Sequence, residues 1–369
     1  MRVAIVHYWL TGMRGGEKVL EAICGIFPEA DIFTLFYDPE QVSPLIRSKN
    51  VHASFLNPLR RFHRSLLPVM PLALESFDLR GYDLVISSES GPAKGVITSS
   101  ATRHVCYCHT PMRYLWELYP AYRNDFTHSA LQRALMVPLS NYLRLWDFAS
   151  AARVDRFLAN SENVRRRIWK TYRRKARVVY PPVAVDTFYE KPSEDYFLIV
   201  SEMVAYKRLD YALRAFSQNG RRLMVVGDGP EYGKLRKLAA ANVEFCGRVP
   251  ERELRELYAH AAAIVNPGEE DFGITMVEAL ASGKPVIALA RGGALEILGA
   301  HCGLLYRETT EESLNHALAQ FDFTHGRFDP ERLRARAEHF SHSAFELSFR
   351  ASLFAASAAH PEVYKIFTS

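Results

Sequence analysis

Residues Ala263–Ala288 read AIVNPGEEDFGITMVEALASGKPVIA. A short apolar run, Ala263–Val265, leads through a polar loop into an apolar helical segment over Ile274–Ala281. A second short run, Val286–Ala288, follows. Two short buried strands joined by a helix form a βαβ unit, whose strands lie parallel in a sheet covered on both faces. Three acids, Glu269, Glu270 and Asp271, precede the Phe272-Gly273 turn that opens the helix, and Glu278 lies inside it. A carboxylate within an apolar helix is costly to bury unless it finds partners. The segment therefore reads either as a capped, soluble helix or as a ligand clamp, with the free N–H groups of the helix start facing an anion.

The same alternation extends in both directions. Arg2–His7, Asp31–Tyr37, Asp83–Ser87, His104–Cys108 and Asp155–Ala159 read as strands, with helical patterns between them at Gly16–Phe27 and Ser129–Ala152. Tyr180-Pro181-Pro182-Val183 interrupts the series, because two prolines continue neither a helix nor a central strand. A second series follows at Tyr196–Ser201, Arg222–Val226, Val243–Cys246, Ala263–Val265 and Val286–Ala288. The expected architecture is α/β, with two Rossmann-like domains over 1–183 and 184–340. A helical tail over 341–369 carries an apolar stripe at 345, 349, 353 and 354, suited to capping its own domain or crossing back to the first. Open α/β sheets bind ligands beyond the carboxyl ends of their strands, so a site is expected around an interdomain crevice.

Composition narrows the class. No apolar run approaches the length of a membrane span or a signal peptide. The five cysteines are odd in number and scattered, which fits a reduced, cytoplasmic setting, and Cys106-Tyr-Cys108 sits on a predicted buried strand. Charge is uneven: residues 1–180 hold 25 Lys/Arg against 15 Asp/Glu, and the remainder holds 21 against 26. The basic half suits an anionic partner. Asn57–Glu75 mixes Arg60, Arg61 and Arg64 with apolar residues and reads as a membrane-surface patch or a packed basic loop, since Pro68 and Pro71 break a long helix. The basic run Arg165–Lys175 follows the helix cap Ser161 and reads as a solvated helix face, so no nucleic-acid partner is expected.

Loops that end predicted strands carry the chemical candidates. Gly15 and Gly16 open a helix, which allows backbone approach to a phosphate, although a plain turn explains them as well. His109 ends a strand, as a partner for a sugar hydroxyl or as a helix cap. Lys207 and Arg208 are adjacent cations before a helix, suited to a diphosphate or to solvent. No D-x-D pair for a bridging divalent ion is present, so no metal is expected.

Glu270 and Glu278, separated by seven intervening residues around Phe-Gly, resemble the E-x7-E motif of retaining glycosyltransferases of the glycosyl-transferase group 1 (family 4) type. ALASGKPVIA, GGEK at 15–18, VVGDGPE at 225–231 and YPPV at 180–183 also resemble that family. HTPMRYLW at 109–116 is similar to its WbaZ-like mannosyltransferases of bacterial polysaccharide assembly. The resemblance implies the GT-B fold and a metal-independent transfer of mannose from GDP-mannose to a lipid-linked or polysaccharide glycan, with peripheral attachment to the anionic inner membrane face. A UDP-linked donor, a sugar-nucleotide epimerase or a catalytically weak nucleotide-sugar-binding subunit are the alternatives. It further implies that Gly15, Gly16, Lys207 and Arg208 face the donor diphosphate and that His109 contacts the transferring sugar. Gly247, Arg248 and Val249 would line the nucleobase. Glu270 would hold sugar hydroxyls, Phe272, Gly273, Ile274 and Thr275 would present backbone groups, and Glu278 would grip the ribose. One departure stands out: Glu202 and Ala205 occupy positions where the family usually has Arg and Pro. An acid there is unfavourable beside a diphosphate, so Arg208 takes over that contact or the donor lies differently.

Overall fold

The computed structural model describes residues 1–120 and 130–354. They form two compact units, Met1–Tyr180 with the chain from Glu346, and Pro181–Phe345.

The first unit is built on seven parallel strands: β1 (Val3–His7), β2 (Asp31–Thr34), β3 (Val51–Ala53), β4 (Leu84–Glu89), β5 (Arg103–Cys108), β6 (Arg156–Ala159) and β7 (Ala176–Val178). Their spatial order is β3-β2-β1-β4-β5-β6-β7. Ile5 on β1 registers with Ile32 on β2 and with Ile86 on β4. Every residue of β1 and β4 is buried, as expected for parallel strands covered on both faces. Helix α1 (Gly15–Ile26) packs Val19, Leu20 and Ile23 inward, and α2 (Ala130–Ser150) and α3 (Glu162–Tyr172) belong to the same unit. Ser161 caps α3, its Oγ accepting the Val164 N–H at 3.0 Å. Arg165 and Arg166 of the basic run face solvent, whereas Arg167 turns inward to Glu117, 3.0 Å away.

The second unit holds six parallel strands: β8 (Phe197–Val200), β9 (Leu223–Val226), β10 (Val243–Gly247), β11 (Ala263–Asn266), β12 (Val286–Leu289) and β13 (Gly303–Tyr306). The order is β10-β9-β8-β11-β12-β13. Helices α4 (Leu209–Asn219), α5 (Glu251–His260) and α6 (Ile274–Ala281) lie among the connections. In each sheet the winding reverses once, between β1 and β4 and between β8 and β11. At such a reversal the loops from two neighbouring strands diverge and leave a recess beyond the strand ends.

Apolar runs locate every central strand, and the strands they leave out, β3, β7 and β13, are all edges. VHA and ARV are short, half-solvated segments in which polar residues are tolerated, so they carry no continuous apolar signal. The expected strand at Asp83–Ser87 continues to Glu89, which brings Ser88 and Glu89 to the end of the sheet.

The proline-rich basic segment forms 3-10 turns over Asn57–Val69, kinked at Leu59, and then a short helix at Met70–Glu75. Leu66, Leu67 and Val69 pack onto the core while Phe55, Leu59, Phe62 and Leu72 stay exposed. The terminal helix α7 (His342–Phe354) buries Phe345, Phe349 and Leu353, and its Ser352 carbonyl accepts a hydrogen bond from Arg156. Ser129 of the expected second helix and residues 355–369 of the expected tail lie outside the described residues. Among the described residues, no helix is long and apolar enough to cross a membrane.

Candidate active site

At the reversal point of the first sheet, β1 ends in His7, β4 in Ser88 and Glu89, and β5 leads directly into His109. The His109 N–H donates to the Glu89 carbonyl at 2.7 Å, which fixes the start of its loop against β4. Beneath the backbone runs a chain of side chains. His109 Nε2 lies 2.9 Å from Ser88 Oγ, and Ser88 Oγ lies 3.1 Å from His7 Nδ1. His7 Nε2 points to Glu17 Oε1 at 3.6 Å, and the second oxygen of Glu17 accepts the Arg14 N–H at 3.0 Å. Burial opposes the Glu17 charge, but His7 and the backbone N–H groups outweigh it and hold the carboxyl below its ordinary value. Burial, with the neighbouring His7, pushes His109 down to about 3 against the pull of Glu17, so its imidazole is neutral at physiological pH.

The Ser88 hydroxyl has one proton, and this couples the two rings. When His7 Nδ1 accepts that proton, His109 must donate from Nε2 and offer a bare Nδ1 as an acceptor. When His7 carries both protons, Ser88 donates to His109, which then presents Nδ1–H. His109 Nδ1 has no partner among the described residues, so it is the atom left for a ligand. Ser88→Ala is expected to leave two imidazole nitrogens unmet at a cost of about 1–3 kcal/mol in denaturant unfolding. The 15N shifts of the His109 ring should then move from one tautomer to a mixture. Unchanged shifts would show that Ser88 does not set the tautomer.

Gly16 sits against this chain. A Cβ built on it falls 2.8 Å from the Tyr8 hydroxyl and 3.7 Å from His109 Nε2. Any side chain would therefore fill the space beside the imidazole. Gly15 begins α1 immediately before it.

The second unit repeats the logic with different residues. The loop after β8 carries Lys207 and Arg208, and the loop after β11 carries Glu270. Lys207 Nζ forms an ion pair with the Glu270 carboxylate, both side chains being about one-sixth exposed, at 17% and 16%. Burial works against the Lys207 charge, yet Glu270 more than compensates and holds the ammonium above its ordinary value. The reversal between β8 and β11 thus has a cation on one lip and an anion on the other.

Backbone contacts fix that pair. A Cβ on Gly268 would lie 2.7 Å from the Lys207 carbonyl oxygen. Gly293, which follows β12, donates its N–H to the Glu270 carbonyl at 2.9 Å, and a Cβ there would lie 1.7 Å from the Phe272 carbonyl oxygen. The φ of Gly293 is −63°, open to any residue, so the contact and not the backbone angle demands glycine. Gly293→Ala is expected to cost about 1–3 kcal/mol in chemical denaturation as the Glu270–Phe272 loop is forced outward. An unchanged unfolding midpoint would refute that packing.

The remaining expected residues divide. Gly273, at φ 109°, turns the chain into α6, so Ile274 and Thr275 form its first turn. The ring of Phe272 is buried against Phe340, which leaves its backbone and not its side chain for the recess. Glu278 is 7% exposed and accepts a hydrogen bond from the buried Tyr258 hydroxyl of α5 at 2.9 Å. Tyr258 is therefore one of the partners the sequence left unnamed. The Arg208 guanidinium is engaged by Asp210 at 3.0 Å, and an anion would compete with that carboxylate. The Glu202 side chain is exposed. Gly247 ends β10, two strands away from β8, and Arg248 and Val249 follow it. Their loop is tied back by Gly227, whose N–H donates to the Gly247 carbonyl at 2.8 Å.

His7, Tyr8, Ser88 and Tyr258 escaped the reading of the sequence. They lie on or directly beside strands and helices whose apolar pattern already explained them, and only their side-chain partners in the folded chain mark them.

Residues 15–187 match the family Glycosyltransferase Family 4, and residues 187–338 match the family Glycosyl transferases group 1. The chain is 32% identical over 168 residues to the D-rhamnosyltransferase WbpZ of Pseudomonas aeruginosa, covering 40% of this chain and 44% of that protein. It is 36% identical over 108 residues to a GDP-mannose-dependent alpha-mannosyltransferase of Mycobacterium tuberculosis, covering 29% and 28%. These matches span less than half the length of the relatives. The crystal structure of Anabaena Alr3699/HepE in complex with UDP and glucose superposes with a TM-score of 0.70 at 15% identity, covering 96% of this chain and 100% of that one. At that identity the likeness is one of fold, and the fold is GT-B.

Proposed function

We infer that this chain, built from two glycosyltransferase family domains that meet at residue 187, transfers a hexosyl group from a nucleotide sugar to a hydroxyl acceptor. Mannose from GDP-mannose is the favoured donor group, and a lipid-linked or polysaccharide glycan the favoured acceptor. One relative is named for GDP-mannose and another for a D-rhamnosyl group. The observation that carries the reading is the Lys207–Glu270 pair at the reversal point of the second sheet.

In this reading the donor diphosphate meets Lys207, Arg208 and the N–H groups at the start of α6. Glu270 accepts hydroxyls of the sugar, and Glu278 with Tyr258 receives the ribose. His109 Nδ1 is the atom proposed to accept from or donate to a sugar hydroxyl. The bond from the anomeric carbon to the diphosphate oxygen breaks, and the bond from that carbon to the acceptor oxygen forms on the same face. The acceptor proton passes to the departing diphosphate. Stabilising the diphosphate charge by fixed cations and N–H groups is the main electrostatic contribution, and it needs no divalent metal. Arg60 and Arg61, with the exposed Phe55, Leu59, Phe62 and Leu72, supply a basic and apolar face for an anionic membrane surface that holds a lipid-linked acceptor.

Thermal shift against GDP, UDP, ADP and their sugars tests the donor, because a ligand that binds the folded state raises its apparent stability. Stabilisation by GDP and GDP-mannose, with mannose released or transferred, is expected. A protein that binds no nucleotide and turns over no nucleotide sugar would end the proposal.

A further inference from the structure

The opposite end of the first sheet carries a second polar recess. The loop leading into β5 and the loop leading into β6 enclose a cavity of about 620 Å³. Its walls include Thr98, Ser100, Arg103, Arg153, Asp155 and Arg156. Arg103 opens β5 and His109 follows its end, so extended strand separates the two by roughly 20 Å. The cavity is therefore separate from the His109 recess.

Its charges are unevenly matched. Arg153 is occupied, with Nη1 2.7 Å from Glu75 Oε1 and donating to the Gly95 carbonyl at 2.7 Å. Asp155 is turned to the backbone, its Oδ2 accepting the His104 N–H at 2.7 Å. Arg156 donates to the Ser352 carbonyl of α7. The guanidinium of Arg103 makes no contact ion pair and meets no hydrogen-bond acceptor among the described residues, the Asp155 carboxylate acting on it only at longer range, and its Nη2 is buried. Burial, and after it the charge of Arg156, holds Arg103 below the ordinary arginine value. Burial and then Arg177 do the same to Arg156. A half-buried guanidinium without an acceptor is an expensive feature, and an anion is its natural complement.

We infer that this cavity is a binding site for a phosphate-bearing molecule, with Arg103 and Arg156 as its cationic donors and Thr98 and Ser100 as hydroxyl donors. Phosphate or diphosphate oxygens suit the planar fork of arginine, which donates two parallel hydrogen bonds. The volume admits a ligand larger than a bare phosphate. The inference does not depend on the proposed transfer reaction, since none of these residues belongs to the donor loops.

The test uses the full chain carrying Lys207→Gln and Arg208→Gln, so that both donor-loop cations are removed, titrated with inorganic diphosphate at constant ionic strength and read as the difference from the same chain with Arg103→Gln. A rise in Tm of about 2–4 °C at saturation is expected. Adding Arg103→Gln should abolish that rise while leaving the ligand-free Tm unchanged or higher, because it removes an unpaired charge. On the unsubstituted protein, diphosphate should slow hydrogen exchange over residues 97–103. Vesicles containing phosphatidylglycerol identify the source of the phosphate. Binding that depends on Arg103 only with vesicles assigns a lipid headgroup, and with soluble diphosphate alone a small molecule. An equal Tm rise in the Arg103→Gln protein, a fall in its ligand-free Tm, or no Arg103-dependent binding and no protection over 97–103 with either diphosphate or vesicles overturns the inference.

Discussion

Replacing Glu270 by alanine should lower sugar transfer by about 10²–10³-fold in kcat, the scale at which a single preorganised electrostatic contact acts. Two effects combine. The carboxylate that would hold the sugar hydroxyls is lost, and Lys207, about one-sixth exposed and paired with Glu270, loses its partner. Lys207 then relaxes, so the cation meant for the diphosphate is no longer fixed. Nucleotide binding should persist, because Arg208 and the start of α6 remain. The measurement is steady-state transfer alongside a thermal shift with GDP. Turnover close to wild type would remove Glu270 from the mechanism, and loss of folding would be visible in the thermal shift itself. Glu270→Gln separates the roles further, since it keeps a hydrogen-bond acceptor while removing the charge that orients Lys207.

Lys94→Met is expected to destabilise the first unit by about 3–5 kcal/mol, the cost of stripping a buried ion cluster of one partner. Lys94, Glu89 and Asp147 are all fully buried. The Lys94 ammonium pairs with Asp147 and lies 2.9 Å from Glu89 Oε1, while the Lys94 N–H donates to Glu89 Oε2 at 2.5 Å. Trp116 Nε1 donates to Asp147 at 2.8 Å, and the Tyr172 hydroxyl lies 3.0 and 3.1 Å from its two oxygens. Without Lys94, two carboxylates would face each other across an apolar core. Denaturant unfolding reads the loss, and a change below about 1 kcal/mol would contradict the cluster.

The same cluster has a pH signature. Burial raises Glu89 to about 7 against the pull of Lys94, and the Asp147 charge adds to the rise. The folded value lies above the ordinary 4.5, so the stability it contributes is complete below that pH. It declines as pH rises from about 4.5 to about 7, because the unfolded chain releases its proton first. Glu89→Gln should remove this slope from the pH dependence of unfolding, and an unaltered slope would place the titration elsewhere.

Much of this protein was legible in one dimension. Runs such as VAIVH at 3–7 and AIVN at 263–266 are apolar on both faces, and only a covered parallel strand accommodates that. Their alternation with amphipathic helices dictates two doubly wound halves, and the prolines at 181–182 mark the join. Glu270, Lys207 and His109 stand out as candidates in the sequence because each lies in the loop beyond a strand's carboxyl end, where chemistry collects in such sheets.

What remained hidden depends on distance in the chain. Lys207 and Glu270 are 63 positions apart, and their pairing exists only because β8 and β11 are neighbours in the sheet. His7, Ser88 and His109 converge because three strands end side by side, while singly each is an unremarkable polar residue at the end of an apolar run. Buried Glu89 and Lys94 meet Asp147 only through the packing of α2, and edge strands such as β3 lack the burial that writes an apolar pattern. Local physics, the burial of short apolar runs and the breaking of helices by proline, determined the fold from the sequence. Long-range juxtaposition, set by strand order and by glycine contacts closer than any side chain permits, decided which residues share a site.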